Sequence, residues 1–186
     1  MVAEPMERST DSMGETRDEI LARRAHSLSL EAVEAEITHR LTLLLFRIGE
    51  EWYAVRLAAV REIFQEYEIT QIPCVPTFIL GVVNVRGEIV SVTDPARIMG
   101  IGQVKSTDGV TPPAVVVAEG DVTTALVVEE IGDIVEVAAD ALEPPVSIID
   151  RSQAEFIEGS VFVEGTMLGL INVERILEPI GSVSRT

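Results

Sequence analysis

At 186 residues, 47% of them hydrophobic, the chain is long enough for one domain with a substantial core, or two very small ones sharing a core, and too short for a modular enzyme. Its formal charge of −17 lies mostly in the body, because residues 1–40 hold nine acids and five arginines while twenty-two acids and nine bases follow from 41 onward. A folded surface of that sign repels phosphate backbones and anionic headgroups, which argues against nucleic acid and the membrane surface as partners; the same acidity also serves solubility or a salty cell.

Residues 1–15 are polar, acidic and short of large apolar groups, the composition of a disordered segment. Thr16-Arg17-Asp18-Glu19 then matches a capping box, with Ile20, Leu21, Arg24, Ala25 and Leu28 on one helical face and a second short helical piece around Leu30, Val33 and Ile37. An N-terminal extension over 1–40 is therefore expected, either a linker helix resting on its own domain or a segment that docks on a partner. The N-terminus is acidic where a signal peptide would be basic and then apolar, and no run reaches the roughly eighteen apolar residues of a membrane span, so a cytoplasmic protein without membrane insertion is expected. Cys74 is the only cysteine, which leaves no internal disulfide and no cysteine-based zinc site.

From residue 41 the texture changes to short apolar or alternating runs, separated by turn signals at Gly49-Glu50, Arg86-Gly87, Gly120-Asp121 and Glu164-Gly165. This predicts mainly β structure. The body also repeats itself. FILGVVNVRGEIVSVTDPARIM (78–99) lies over FIEGSVFVEGTMLGLINVERIL (156–177) without a gap, matching Phe78 with Phe156, Gly81 with Gly159, Gly87 with Gly165 and Arg97 with Arg175, while Asp94 meets Asn172. Upstream, FRIGEEWYAVRLAAVREIF (46–64) lies over VAEGDVTTALVVEEIGDIV (117–135), pairing Gly49 with Gly120, Val60 with Ile131 and Glu62 with Asp133. Two copies of about five strands each predict two small closed barrels, one over roughly 41–102 and the other over roughly 113–180, joined through the polar run from Gly102 to Pro113 and followed by a tail at 181–186. The loops at 65–77 and 136–155 become equivalent connections.

The two copies differ in sign at one place. Arg86 stands at the tip of the first hairpin and Glu164 at the tip of the second, each before a glycine that the tight turn requires, so the residue before the glycine is expected to be free to vary. A surface-tip charge is ordinarily solvated and inert; a sign reversal between otherwise similar copies makes it a candidate for partner recognition. In AAVREIFQ (58–65), alternation places Val60, Glu62 and Phe64 on one face and Arg61 and Ile63 on the other. That is an ordinary half-exposed strand or the mixed apolar and charged stripe of a groove, and a Glu62–Arg86 pair would hold both side chains at its edge.

No catalytic arrangement accompanies these features. Both histidines, His26 and His39, fall in the extension, so the body has no imidazole for a general base or a metal ligand. Nucleophile-elbow, Walker-type and dinucleotide glycine motifs are absent from the sequence, and Cys74 has no body histidine to activate it. Glu129 and Glu130, as neighbours in a strand, are expected to point to opposite faces and share no site. No enzyme, no catalytic residue, no metal and no cofactor are expected.

The order FRIGEEWYAV, AAVREI, PTFILGVVNVRGEIVSVTD, VEEIGDIVEV, LEPP and FIEGSVFVEGTMLGLINVERIL resembles the CheW-like adaptor family of chemotaxis over roughly 41–180. The resemblance implies two five-stranded SH3-like β-barrels around a shared core, with short helices. It implies a non-catalytic scaffold that couples the cytoplasmic hairpin of chemoreceptors, the methyl-accepting chemotaxis proteins, to the regulatory domain of a CheA-type histidine kinase within receptor arrays at the membrane. By the same resemblance the receptor would contact Val60, Glu62, Gly81 and Arg86, and the kinase the tip Val163-Glu164-Gly165. Glu88 and Ser91 stand where the family more often has an apolar residue and proline, and Pro95 where it has leucine, which suggests a divergent paralogue, for example one serving a type IV pilus pathway. A double-barrel module regulating something other than a chemotaxis kinase is the competing reading.

Overall fold

The computed structural model describes residues 40–106, 110–145 and 151–183. The disordered and helical readings of the N-terminal extension lie outside them. Ten strands follow in order: β1 (Arg40–Ile48), β2 (Glu51–Arg56), β3 (Val60–Phe64), β4 (Ile79–Val85), β5 (Glu88–Thr93), β6 (Ala114–Glu119), β7 (Val122–Val127), β8 (Glu130–Ala138), β9 (Ile157–Val163) and β10 (Thr166–Ile171). Helix α1 (Pro95–Ile98) follows β5, α2 (Arg151–Ala154) precedes β9, and α3 (Val173–Val183) follows β10. The first three residues of the expected tail, Gly181 to Val183, thus belong to a helix.

The fold is mainly β, with two five-stranded sheets, as expected. Their composition corrects the partition of the chain into a barrel over 41–102 and another over 113–180. One sheet has the order β8-β1-β2-β10-β9 and the other β3-β6-β7-β5-β4, so each draws strands from both copies. The first hairpin of each copy joins the third strand and second hairpin of the other. One barrel is then continuous in sequence, from 60 to 127, and is inserted into the second, built from 40–56 and 130–171. The two parallel joins fall on equivalent residues, Gly169 beside Tyr53 and Ser91 beside Thr124, so the duplication extends to the register.

The exchange follows from burial. Strands β1, β2, β6 and β7 are central and bury both faces, which is why they read as near-continuous apolar runs rather than alternating ones. Leu43, Ala54, Val161, Leu168 and Leu170 fill the interior of the discontinuous barrel. Val83, Val90, Val92, Val116 and Val127 fill the continuous one. The opposite faces of the same central strands meet between the barrels, where Leu44, Phe46, Tyr53, Val115, Val117 and Leu126 join Met99 after α1 and Ile176 and Leu177 of α3.

Both barrels are closed by a short bridge at equivalent places. After β3 the chain returns to β4, where Thr70 and Val82 exchange two backbone hydrogen bonds of 2.9 Å. After β8 it returns to β9, where Glu143 and Ser160 exchange bonds of 2.9 and 2.8 Å. The carbonyls of Thr70 and Glu143 pass so close that a Cβ on Gly81 or Gly159 would stand 2.4 or 2.6 Å from them.

Candidate functional site: two hairpin edges of opposite charge

Strand β3 ends its sheet, pairing only with β6 through a bulge between Val60 and Glu62. Its side chains alternate as expected: Val60, Glu62 and Phe64 are half-buried, Arg61 and Ile63 exposed. Val60 rests on the core between the barrels, and Phe64 covers the continuous barrel beside Tyr67, with ring centroids 6.2 Å apart. The Tyr67 hydroxyl donates to the Pro112 carbonyl at 2.7 Å, and burial pushes its phenol up to about 12.

Across the barrel closure stands the β4–β5 hairpin. Arg86 and Gly87 have φ of 52° and 94°, the two left-handed residues of a type I′ turn, and the Gly87 N–H donates to Asn84 Oδ1 at 2.7 Å. The residue before the glycine is therefore not free to vary: it too must adopt a conformation that costs an ordinary side chain energy. Arg86 Nη2 reaches back to Glu62 Oε1 at 2.8 Å, with the arginine side chain 81% exposed and the glutamate 24%. Glu62 is thereby fixed by a partner that still faces solvent. Arg86→Asn is expected to raise stability by a few tenths of a kcal/mol, since asparagine tolerates the left-handed region, while breaking the pair; the urea midpoint checks the first effect.

Gly81 is buried and lies beneath the Thr70 bridge with φ of 150°. It cannot present a surface, so its part at this edge is to let the barrel close.

The second edge is built the same way with different chemistry. Glu164 and Gly165 form the β9–β10 turn with φ of 50° and 83°, but the counterpart of Glu62 is the exposed Asp133. Among the described residues Glu164 makes no ion pair; it and Asp133 carry like charge. Val163 is half-buried, and directly behind the turn Phe162 faces Met167 across the strands, 64% and 43% exposed. Sequence reasoning missed this apolar pair. The gapless alignment could have found it, because Phe162 replaces the polar Asn84 at an outward position.

Glu129 and Glu130 also depart from expectation. Glu129 precedes β8 in a bend, where strand alternation does not hold, and Arg47 gathers both acids, with Nη1 2.9 Å from Glu129 and Nε 3.0 Å from Glu130. Glu129 accepts from the Lys105 N–H as well, at 3.1 Å, which makes it a structural anchor for the segment between the copies. Among the described residues no group of three or more His, Cys, Asp or Glu is placed to hold a metal ion, and no helix is long and apolar enough to cross a membrane.

A family model described as the CheW-like domain matches residues 42–180. The chain is 27% identical to a chemotaxis protein CheW of Rhizobium meliloti over 135 residues, covering 72% of this chain and 85% of that protein. It is 30% identical to the CheW of Klebsiella aerogenes over 134 residues, covering 72% and 80%. The protein PilI of Pseudomonas aeruginosa is 27% identical over 116 residues, or 61% of this chain and 63% of its own length. Among solved structures, the scaffolding protein TtCheW of Thermoanaerobacter tengcongensis superposes with a TM-score of 0.66 at 27% identity, over 74% of this chain and 92% of that one. With the matched region spanning both barrels and both edges, the chain belongs to the CheW-like domain family.

Proposed function

We propose that this chain is a non-catalytic scaffold coupling the cytoplasmic hairpin of chemoreceptors to the regulatory domain of a CheA-type histidine kinase. The observation that carries the reading is the Glu62–Arg86 pair: a half-buried carboxylate held by an exposed guanidinium at the rim of an apolar stripe. That is the arrangement of an edge that docks a helix, with an apolar anchor at Val60 and charge at the rim. The second edge, Val163-Glu164-Gly165 with Phe162 and Met167 behind it, is the surface offered to the kinase. Its charge is opposite to that of the Arg86 tip, so the two edges discriminate between partners. The scaffold works in the cytoplasm, held at membrane-associated receptor arrays by its protein partners. Coupling requires no turnover, only contacts that differ between two receptor states.

Arg86→Glu tests the reading. Glu164 already occupies the equivalent backbone conformation, and the Arg86 side chain is largely exposed, so the pair contributes little to folding and stability is expected to stay within about 0.5 kcal/mol of the wild type. In pull-downs from the native lysate, with partners identified by mass spectrometry, recovery of the receptor is expected to fall while the kinase is retained. Undiminished receptor recovery, or recovery of neither protein from the wild type, defeats the assignment. The likeness to PilI supports a second reading, a scaffold of a type IV pilus pathway; the identity of the recovered receptor separates the two.

A further inference from the structure

A third surface shares the β4–β5 hairpin with the first edge. Helix α3, the β4–β5 hairpin and the β6–β7 turn enclose a groove of about 950 Å³ whose floor includes Ile79, Val82, Val122 and Leu177, with Ile72 and Ile89 on its walls. Ile72 is 39% exposed and Ile89 64%. Its rim carries Glu88, Glu119, Asp121, Glu174 and Glu178, and no lysine or arginine lines it. Glu178 is paired with Arg175 at 2.9 Å; the other four make no ion pair among the described residues.

General acidity of the chain does not account for this rim. In the other copy the positions of Glu88, Glu119 and Glu174 are held by Thr166, Ile48 and Ala96, and only Asp121 has an acidic counterpart, Glu50. The wall itself is also particular to this side, because α3 has 11 residues and its counterpart α1 has 4. The groove is thus an apolar trough with concentrated negative charge, added to one half of a duplicated fold.

We propose that this groove docks a basic amphipathic helix of a partner protein, with the apolar stripe of the helix on Ile72, Ile89 and Val122 and its flanking lysines or arginines on Glu88, Glu119, Asp121 and Glu174. A helix is favoured over an extended peptide because the strands here offer little edge. β7 is hydrogen-bonded to β6 and β5, and β5 to β4 and β7, while β4 ends the sheet with its outer side bridged to Thr70 at Val82. An added strand would find few free backbone partners, whereas a helix satisfies its own. The charge complementarity selects a cationic helix and speeds its encounter.

The test uses the full chain and a fluorescein-labelled 18-residue Leu/Lys peptide with an amphipathic helical pattern, followed by fluorescence anisotropy, with a Leu/Glu peptide of the same pattern as control. The Leu/Lys peptide is expected to bind more weakly at high salt, and the Leu/Glu peptide not to bind. Ile89→Asp and the pair Glu119→Lys with Glu174→Lys, all at exposed positions, are expected to weaken binding at least tenfold with unchanged urea midpoints. Asp133→Lys, at the second edge, is expected to leave it unchanged. Cys74, exposed and two residues from Ile72 in the chain, supplies an independent reading: bound peptide is expected to slow its alkylation by a maleimide. Equal affinity in the groove variants, or alkylation unaffected at saturating peptide, overturns the proposal. So does concentration-dependent dimerisation abolished by Ile89→Asp, which would make a second copy the occupant.

Discussion

Gly81→Ala is expected to be among the most damaging single substitutions in the continuous barrel. The new methyl would stand 2.4 Å from the Thr70 carbonyl oxygen and 2.6 Å from Ile69 Cγ2, and the first of these is backbone that cannot rotate away. At φ of 150° the backbone is also one that a side chain adopts only under strain. Overpacking and backbone strain each cost on the order of 1–3 kcal/mol, so a loss of about 3 kcal/mol is expected, a large fraction of the stability of a domain of this size. The two hydrogen bonds between Thr70 and Val82 close the barrel and are the first to be lost. Urea denaturation measures the total, and hydrogen exchange at Thr70 and Val82 tests where it arises. Exchange at that bridge is expected to accelerate more than at Val116 or Leu126. The comparison also bears on function: a coupling defect in Gly81→Ala with a matching loss of stability reports barrel closure, whereas one with unchanged stability would return Gly81 to direct contact with a partner.

Asp94→Ala is the second. Asp94 is 2% exposed, and its carboxylate accepts from the Ala96 N–H at 3.0 Å and the Arg97 N–H at 3.4 Å, capping α1. It also accepts from the Val104 N–H at 3.2 Å and pairs with Arg97 Nε at 3.2 Å. One buried side chain thus joins the end of β5, the helix and the segment leading to the next copy. Removing it orphans three backbone donors, while the partly exposed Arg97 guanidinium keeps its bonds to the Thr77 carbonyl and Gln103 Oε1; a lost cap costs about 1 kcal/mol and each further orphaned donor about 1, so a loss of about 3 kcal/mol is expected by urea denaturation. Asp94→Asn is expected to lose about half as much, because an amide oxygen still caps the helix but brings no charge to Arg97. The second copy makes that substitution itself: Asn172 accepts from the Arg175 N–H at 3.1 Å, and its arginine turns to Glu178 instead. Equal losses for alanine and asparagine would show that the charge, rather than capping, is what Asp94 contributes, and an asparagine variant as stable as the wild type would show the reverse.

These two residues mark how far the sequence can be read. The alignment singled out Gly81 with Gly159 and Asp94 with Asn172, but not why they recur, since a close approach by Thr70 or a bond from Val104 depends on chain far along from either. Glu62 and Arg86 were legible as an edge because each sits in a local pattern, alternation for one and a hairpin turn for the other. Their meeting needed only that the barrel close. Phe162 and Met167 were hidden by being apolar in an apolar run; apart from the polar Asn84 opposite Phe162 in the alignment, only exposure separates them from core.

What the sequence by itself determined is local and periodic. Strand content, the four hairpin turns at Gly49, Gly87, Gly120 and Gly165, the duplication and the absence of any body histidine all follow from residue type at short spacing. What only the tertiary structure decided is which hairpin belongs to which barrel, the gathering of Glu129 and Glu130 on Arg47, and the acidic groove beside α3. The physical reason is that two copies with the same pattern offer the same strand edges and the same apolar faces whether each closes on itself or exchanges its first hairpin. Local pairing cannot distinguish the two arrangements. The exchange is visible only in long-range contacts, which set both faces of β1, β2, β6 and β7 against apolar neighbours and leave one core between the barrels.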